Sequence, residues 1–283
     1  MTRSKPQKKN FRLFGGRELL LLAGLAGSIL LPSAAYVLWL PDVSELKKKN
    51  PLETSFMRIK EEQALAQGKK LGRNLIWTGW DGISENLRHA VLVAEDDGFY
   101  RHHGVDWDST RKALETDWKK KRFAKGGSTI TQQLARNLYL SPSKNPLRKI
   151  KEMLIARQLE KELGKRRIFE IYLNVAEWGR GIYGAEAAAR AYFGKSAADL
   201  TPEEAAALAA ALPSPRRYSP VKGTRFMERR KSSIVARMRA SGYLPEEVDE
   251  EEMSESVEIL TSTAAAVEVS TAPAETPGPT DKE

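Results

Sequence analysis

The chain contains no cysteine and only three histidines, His89, His102 and His103. The missing thiols exclude a disulfide scaffold, a thiolate zinc site, an iron–sulfur cluster and a cysteine nucleophile. With so few imidazoles, a metal site built from three or more histidines is not expected. The compartment stays open, because a cysteine-free chain is at home in the cytosol and in the periplasm.

Negative charge is concentrated at the C-terminal end. Residues 244–283 contain twelve acids and one lysine, a charge of −11, while the whole chain of 283 residues carries +9. The rest is therefore strongly cationic, which favours an anionic polymer, an anionic lipid or a phosphate-bearing substrate as its partner. The tail is too polar to bury a core, so we expect a disordered acidic extension that serves solubility or spacing.

Charge is absent from residues 19–41, an apolar segment long enough to cross a bilayer as a helix. Six bases precede it within the basic segment 1–18, so the positive-inside rule places the N-terminus in the cytoplasm and the remainder in the periplasm. Small residues at 33–35 leave a cleaved signal peptide as the alternative. We favour an uncleaved single-pass transmembrane helix, because the apolar stretch continues to Leu40.

The rest of the chain divides at two boundaries. Residues 42–69 have a mixed polar composition and are predicted to be a linker, while residues 70–243 are predicted to form one mostly helical domain. Apolar residues at helical spacing from Ile83 to Ala94 predict an amphipathic helix that ends near Asp97.

Two later helices have clear end signals. Pro146 follows Asn145, a suitable N-cap, and Gly164 stands at the far end, so we predict a helix over residues 146–163. A capping box that begins at Thr201 opens an alanine-rich helix. No region has the alternation that would predict several strands.

Three carboxylates, Glu95, Asp96 and Asp97, follow one another at the end of the first amphipathic helix. Successive helical residues point about 100° apart. One carboxylate can therefore face a cleft while its neighbours raise its affinity for a proton, which suits a general base. An acidic triplet is also common on a solvated surface, and the pattern alone does not decide between Glu95 and Asp96.

Two further segments carry candidate binding residues. In Gly126–Gln133, glycines followed by hydroxyl and amide side chains can hold phosphate or sugar oxygens, although an ordinary glycine turn with an N-cap has the same composition. It lacks the order of a Walker loop, so a nucleotide is not expected. Further on, Arg148 and Glu152 lie one turn apart on an otherwise apolar stripe, which indicates a polar cleft or a structural salt bridge.

Five segments in this order resemble the peptidoglycan glycosyltransferases, glycosyltransferase family 51. Glu95–Gly104 fits the pattern Glu-Asp-x-x-Phe-x-x-His-x-Gly, Gly126–Gln133 fits Gly-x-Ser-Thr-x-Thr-Gln-Gln, and Arg148–Glu152 fits Arg-Lys-x-x-Glu. Glu170–Asn174 and Gly181–Lys195 fit the fourth and fifth motifs. One departure is Arg136, where many members carry lysine, so a planar fork replaces a point charge.

The resemblance implies a lysozyme-like helical catalytic domain of the monofunctional type, held at the bacterial inner membrane. The implied reaction joins lipid II units into glycan strands, with inversion at the sugar carbon that leaves an undecaprenyl diphosphate. Lipid II, the growing strand and membrane lipid would be its partners, other cell-wall synthesis proteins are further candidates, and nucleic acid is not expected.

The resemblance also assigns roles to residues. Glu95 resembles the general base. Glu152 resembles the second catalytic glutamate, which orients nearby cations or carries a divalent ion such as Mg or Mn. The resemblance implies no obligate cofactor and no protein metal site. The implied substrate-binding residues are Asp96, Phe99, His102, Ser128, Thr129, Gln133, Arg136, Asn137, Arg148 and Lys149.

Two alternatives stay open at this stage. A lysozyme-like enzyme or lytic transglycosylase that cleaves finished glycan would also use a lone glutamate, but it would leave the Arg and Lys set without a role. A membrane-anchored binding protein for an anionic polymer would explain the positive charge without any catalysis.

Overall fold

The computed structural model describes residues 16–111, 115, 127–143 and 145–246. The predicted basic segment up to residue 15, Gly126 and the acidic tail beyond residue 246 lie outside the described residues. The chain divides into two compact units, residues 1–238 and 239–283. In the second unit the described residues form the end of the helix Arg225–Ala240 and a turn at Gly242.

Helix α1 (Gly16–Leu38) contains most of the apolar segment and includes Pro32. Its large apolar side chains are extensively exposed, with 74% of Leu20 and 73% of Leu31 accessible. Within the part of the chain that the structure describes, no helix meets both the length and the apolarity needed to cross a membrane.

Residues 42–69, predicted to be a linker, contain a 3-10 turn (Ser44–Lys47) and helix α2 (Ser55–Ala66). The Thr54 hydroxyl caps α2 by accepting a hydrogen bond of 3.1 Å from the Met57 amide. Val43 and Met57 are fully buried, so this segment packs into the first unit rather than running free. The sequence did not predict α2, because this segment is polar and the helix buries only two of its side chains, Met57 and Ala64.

The remaining helices confirm the mostly helical prediction. Their bounds are α3 (Glu85–Glu95), α4 (Ile130–Tyr139), α5 (Pro146–Glu162), α6 (Lys165–Val175), α7 (Ala185–Phe193), α8 (Pro202–Ala211) and α9 (Arg225–Ala240). The predicted N-caps of α5 and α8 are present. Helix α5 ends at Glu162 with Leu163 as its C-cap, and Gly164, predicted to close it, is the N-cap of α6. Helix α3 packs on α8, whose run of buried alanines allows close approach, and α4 packs between α5 and α6.

A small sheet, not predicted from the sequence, stands beside the helices. It consists of β1 (Asn74–Leu75), β2 (Glu177–Gly179) and β3 (Ile182–Tyr183) in the order β1-β3-β2, with β1 parallel and β2 antiparallel to β3. Strands of two or three residues are too short to show an alternating pattern.

Candidate active site

Glu95 is the last residue of α3 and lies where two cavities meet. The first cavity has a volume of about 670 Å³ and the second about 600 Å³. Both are lined by Ala94, Glu95 and Ser128, whereas Asp96 and Asp97 line the first cavity. Only 12% of the Glu95 side chain is exposed. Of the acidic triplet, Glu95 is therefore the carboxylate presented to both cavities.

The Glu95 carboxylate is held by α4 and α6. The Gln133 side-chain amide donates a hydrogen bond of 2.9 Å to Glu95 Oε2, and the Tyr172 hydroxyl donates one of 3.1 Å to Gln133 Oε1. Burial raises the pKa of Tyr172 well above its usual value, so the phenol stays a neutral donor. The Tyr172 bond fixes which end of the Gln133 amide faces Glu95.

Burial is also the main influence on Glu95, and it raises the pKa of the carboxyl. The hydrogen bond from Gln133 and the positive charges of Arg230 and Arg136 oppose this effect, while the charge of Asp96 adds to it. A desolvated carboxylate with a raised proton affinity, facing an open cavity, is suited to accept a proton from a ligand.

Asp96 joins α3 to α4 and is 8% exposed. Its Oδ2 accepts a hydrogen bond of 2.9 Å from the amide of Ile130, the first residue of α4, and His102 Nε2 lies 3.0 Å from both of its oxygens. A carboxylate at a helix N-terminus is favoured by the unpaired amides there. Because this clamp fixes the start of α4, it also sets the position of Gln133 one turn further on.

Thr129, predicted to contact the substrate, holds the start of α4. It forms a capping box with Gln132, and its hydroxyl donates a hydrogen bond of 2.6 Å to the carbonyl of Gly104. Gly104 has a φ of +85°, and a Cβ there would lie 3.1 Å from the backbone of Ala156. Thr129 also lines the first cavity, although the residue is only 3% exposed and its hydroxyl is engaged at this junction.

Phe99 was also predicted to bind substrate, but it is fully buried. Its ring packs against Tyr100 and Phe169, with centroid distances of 5.1 and 5.4 Å, and the Lys165 ammonium lies 4.4 Å from its centroid. Phe99 therefore supports the turn that carries His102 and has no surface for a ligand. The motif fixes its residue type but does not reveal that the ring points into the core.

Glu152 lies on α5 and is fully buried. Lys149 Nζ lies 2.5 Å from its Oε1, and Arg148 Nη1 bonds its Oε2. Lys149 also donates to Ser128 Oγ at 2.8 Å. Glu152 thus contacts the two cations and not the cavity. This geometry fits the prediction that Glu152 orients nearby cations. It does not fit a direct contact between Glu152 and a substrate.

The second cavity is strongly cationic. Arg136, Arg148 and Arg230 all line it, together with Gln133. Asn137, also predicted as a binding residue, is half-buried on α4, one turn beyond Gln133. Three guanidinium groups around one hollow favour an anionic ligand with several oxygen atoms, such as a phosphate or diphosphate.

The residues do not fit a divalent ion carried by Glu152. Both oxygens of this carboxylate are already engaged by Arg148 and Lys149, and Glu152 is fully buried and lines neither cavity. Across the residues that the structure describes, no group of three or more His, Cys, Asp or Glu side chains could hold a metal ion.

Sequence reasoning missed Arg230 and Arg237, both on α9, and gave Tyr172 no role. Arg230 lines the second cavity and Arg237 the first. The run of charges around them resembles an ordinary solvated helix face, so the sequence offers no signal for their position. Tyr172 lies within the fourth motif, but nothing in that pattern indicates a contact with Gln133.

Comparisons with known proteins agree with these features. Residues 61–239, more than half of the chain, match the protein family described as Transglycosylase. The chain is 45% identical over 228 residues to the biosynthetic peptidoglycan transglycosylase of Dechloromonas aromatica (strain RCB), an alignment that covers 80% of this chain and 97% of that protein. It is 48% identical over 192 residues to the protein of that name from Janthinobacterium sp. (strain Marseille), covering 68% of this chain and 83% of the relative.

Proposed function

The chain belongs to the transglycosylase family, as its five motifs predicted, and on this premise we propose that it is a peptidoglycan glycosyltransferase that polymerises lipid II for the cell wall. The observation that carries the proposal is the position of Glu95, a buried carboxylate in the wall between the first cavity and the second. The second cavity is the one lined by three arginines. A base beside an anion site is what glycosyl transfer from a diphosphate requires.

In the proposed reaction, the second cavity takes the donor diphosphate and the first takes the acceptor sugar. Glu95 accepts the proton of the acceptor 4-hydroxyl as its oxygen attacks C1 of the donor from the opposite face, which inverts that carbon. The bond from C1 to the diphosphate oxygen breaks, and its electron pair leaves with the diphosphate. No second carboxyl is needed, because the leaving group is already acidic.

Arg136, Arg148 and Lys149 stabilise the charge that develops on the leaving diphosphate. Glu152 acts through Arg148 and Lys149, whose positions it fixes, rather than through a divalent ion. If so, a chelator should leave the rate of lipid II polymerisation unchanged, and loss of activity that Mg or Mn restores would contradict this role.

We also propose that residues 19–41, most of which lie in α1, anchor the protein in the inner membrane with the catalytic domain in the periplasm. The uncharged sequence and the exposed leucines of α1 support this assignment. An anchor in the same membrane as the lipid-linked substrate would shorten the search for it. Fractionation of cells that produce the full chain tests the proposal, and recovery in the soluble fraction would contradict it.

A direct assay separates synthesis from cleavage. The purified full chain is incubated with lipid II in one reaction and with polymeric glycan in another, and the products are separated by size. We expect strands to grow from lipid II and the polymer to stay intact. Fragments released from the polymer, without strand growth from lipid II, would reverse the assignment in favour of a cleaving enzyme.

A further inference from the structure

Arg230 belongs to α9, the last helix among the described residues, yet its side chain reaches Glu95 in the cavity wall. Its Nη2 atom lies 3.6 Å from Glu95 Oε1, and about two thirds of the side chain is covered. Its Nε atom is buried and has no hydrogen-bond partner. A charge-assisted hydrogen bond between such groups is typically about 2.7–2.9 Å long. Arg230 and Glu95 therefore attract each other by charge at a distance longer than such a hydrogen bond, and the Nε–H of Arg230 is still able to donate one.

Arg148, which also lines the second cavity, is held differently. Arg148 and Lys149 are tied to Glu152, a carboxylate that does not face the cavity. The acid that faces Arg230 is Glu95 itself. A cation with a buried unpaired donor and a loosely held counter-ion can be drawn to a stronger anion, and a diphosphate offers more charge and more acceptor oxygens than a carboxylate.

The groups that act electrostatically on Glu95 come from four elements. Asp96 follows it in the chain, Arg136 comes from α4, Tyr172 from α6 and Arg230 from α9. Tyr172 is a neutral donor, and Asp96 is held in place by its hydrogen bond to the start of α4. Arg230 is the group of this set whose present partner is the base itself.

We propose that Arg230 is an exchangeable counter-ion of Glu95, which pairs with the carboxylate in the substrate-free protein and moves to the diphosphate of the bound donor. The inference rests on the proposed function, since it takes the donor to be a diphosphate. Withdrawal of the cation removes an interaction that favours the ionised carboxylate, so Glu95 becomes a stronger base only when the donor is in place. Arg230 is on this account a positioning residue for the base and a ligand for the leaving group.

The pH dependence of polymerisation tests this exchange. The acid limb of kcat/KM reports Glu95 in the free enzyme, and that of kcat reports it in the substrate complex. For the unaltered protein we expect the acid limb of kcat to lie at higher pH than that of kcat/KM. In Arg230→Ala the limb of kcat/KM should move to higher pH, because the favourable charge is lost, and the gap between the two limbs should narrow.

Two matched variants control for structure. Arg230→Lys keeps the charge and should keep most of the pH difference between the acid limbs of kcat and kcat/KM. Arg229→Ala, at the exposed adjacent position, should show the same pH profiles as the unaltered protein. A gap of equal size in Arg230→Ala and in the unaltered protein would overturn the inference while leaving the function intact. Absence of strand growth in the unaltered protein at every pH would instead overturn the function.

A second measurement is made on the unaltered protein and uses a variant only to assign one signal. The full chain is labelled with ¹³C at the glutamate carboxyls, and the Glu95 signal is assigned by its loss in Glu95→Gln. Titration with and without inorganic pyrophosphate should show that this anion raises the pKa of Glu95. An unchanged pKa at pyrophosphate concentrations up to the limit of solubility would overturn the inference.

Discussion

Gln133 donates its side-chain amide to one oxygen of Glu95, across a distance of 2.9 Å, while Tyr172 holds the other end of the same amide. Oε2 of Glu95 thereby accepts a hydrogen bond, whereas Oε1 has Arg230 beside it at the longer distance of 3.6 Å and is the oxygen available for the proton of a ligand. The arrangement links α3, α4 and α6 at the point where the two cavities meet.

Replacement of the base is expected to stop the reaction without preventing binding. Glu95→Gln keeps the shape of the side chain but cannot accept the proton, so polymer formation should fall by at least about 10²-fold, the usual lower contribution of a general base. Lipid II binding, measured by equilibrium titration, should survive. Glu85→Gln, at the exposed start of the same helix, serves as the control. Turnover retained in Glu95→Gln would refute the assignment of the base.

Loss of the Gln133 amide should change the pH dependence. The hydrogen bond from Gln133 favours the ionised form of Glu95 and so lowers its pKa against the raising effect of burial. In Gln133→Ala the pKa should rise further, and the acid limb of kcat/KM should move to higher pH. Tyr172→Phe, which frees the amide without removing it, should give a smaller shift. An acid limb that stays in place in Gln133→Ala would show that this bond does not tune the base.

The clamp at Asp96 should matter for folding. In Asp96→Ala the buried amide of Ile130 and the ring of His102 lose their acceptor, and an unsatisfied buried donor costs about 1–3 kcal/mol of unfolding free energy. Asp97→Ala, at an exposed position, should change stability by less than about 0.5 kcal/mol. Urea unfolding of both variants measures the difference. Equal stabilities would mean that water replaces the clamp without loss.

The anion site can be tested through its arginines. Arg148 lines the second cavity and is 12% exposed, whereas Arg101 lines the first and is 76% exposed. Arg148→Ala should therefore lose more polymerisation activity than Arg101→Ala, and inhibition by inorganic pyrophosphate should weaken in the first variant alone. The reverse order would place the leaving group in the first cavity.

Local signals in the sequence predicted much of the fold. The N-caps of α5 and α8 could be predicted, because the side chains of Asn145 and Thr201 accept hydrogen bonds from amides only two or three residues further along the chain. Helix α2 and the three short strands could not be predicted, because their stability comes from packing against distant residues and not from a local pattern.

The candidate site was predicted unevenly for a similar reason. Glu95, Gln133 and Arg148 were recognised from ordered motifs, and the structure brings them around one cavity. The same motifs contain Phe99 and Thr129, whose side chains turn inward to hold the scaffold, and residue type alone does not distinguish these uses. Arg230 comes from a helix far along the chain, and only the tertiary structure places it beside the base.

The place of Arg230 in the chain affects how the enzyme is made. During synthesis Glu95 leaves the ribosome about 135 residues ahead of its counter-ion. A nascent or prematurely terminated chain that lacks α9 would hold its carboxylate without that cation. Completion of the working site therefore awaits the translation of α9, which ties the onset of glycan synthesis to a chain that has been translated past residue 240.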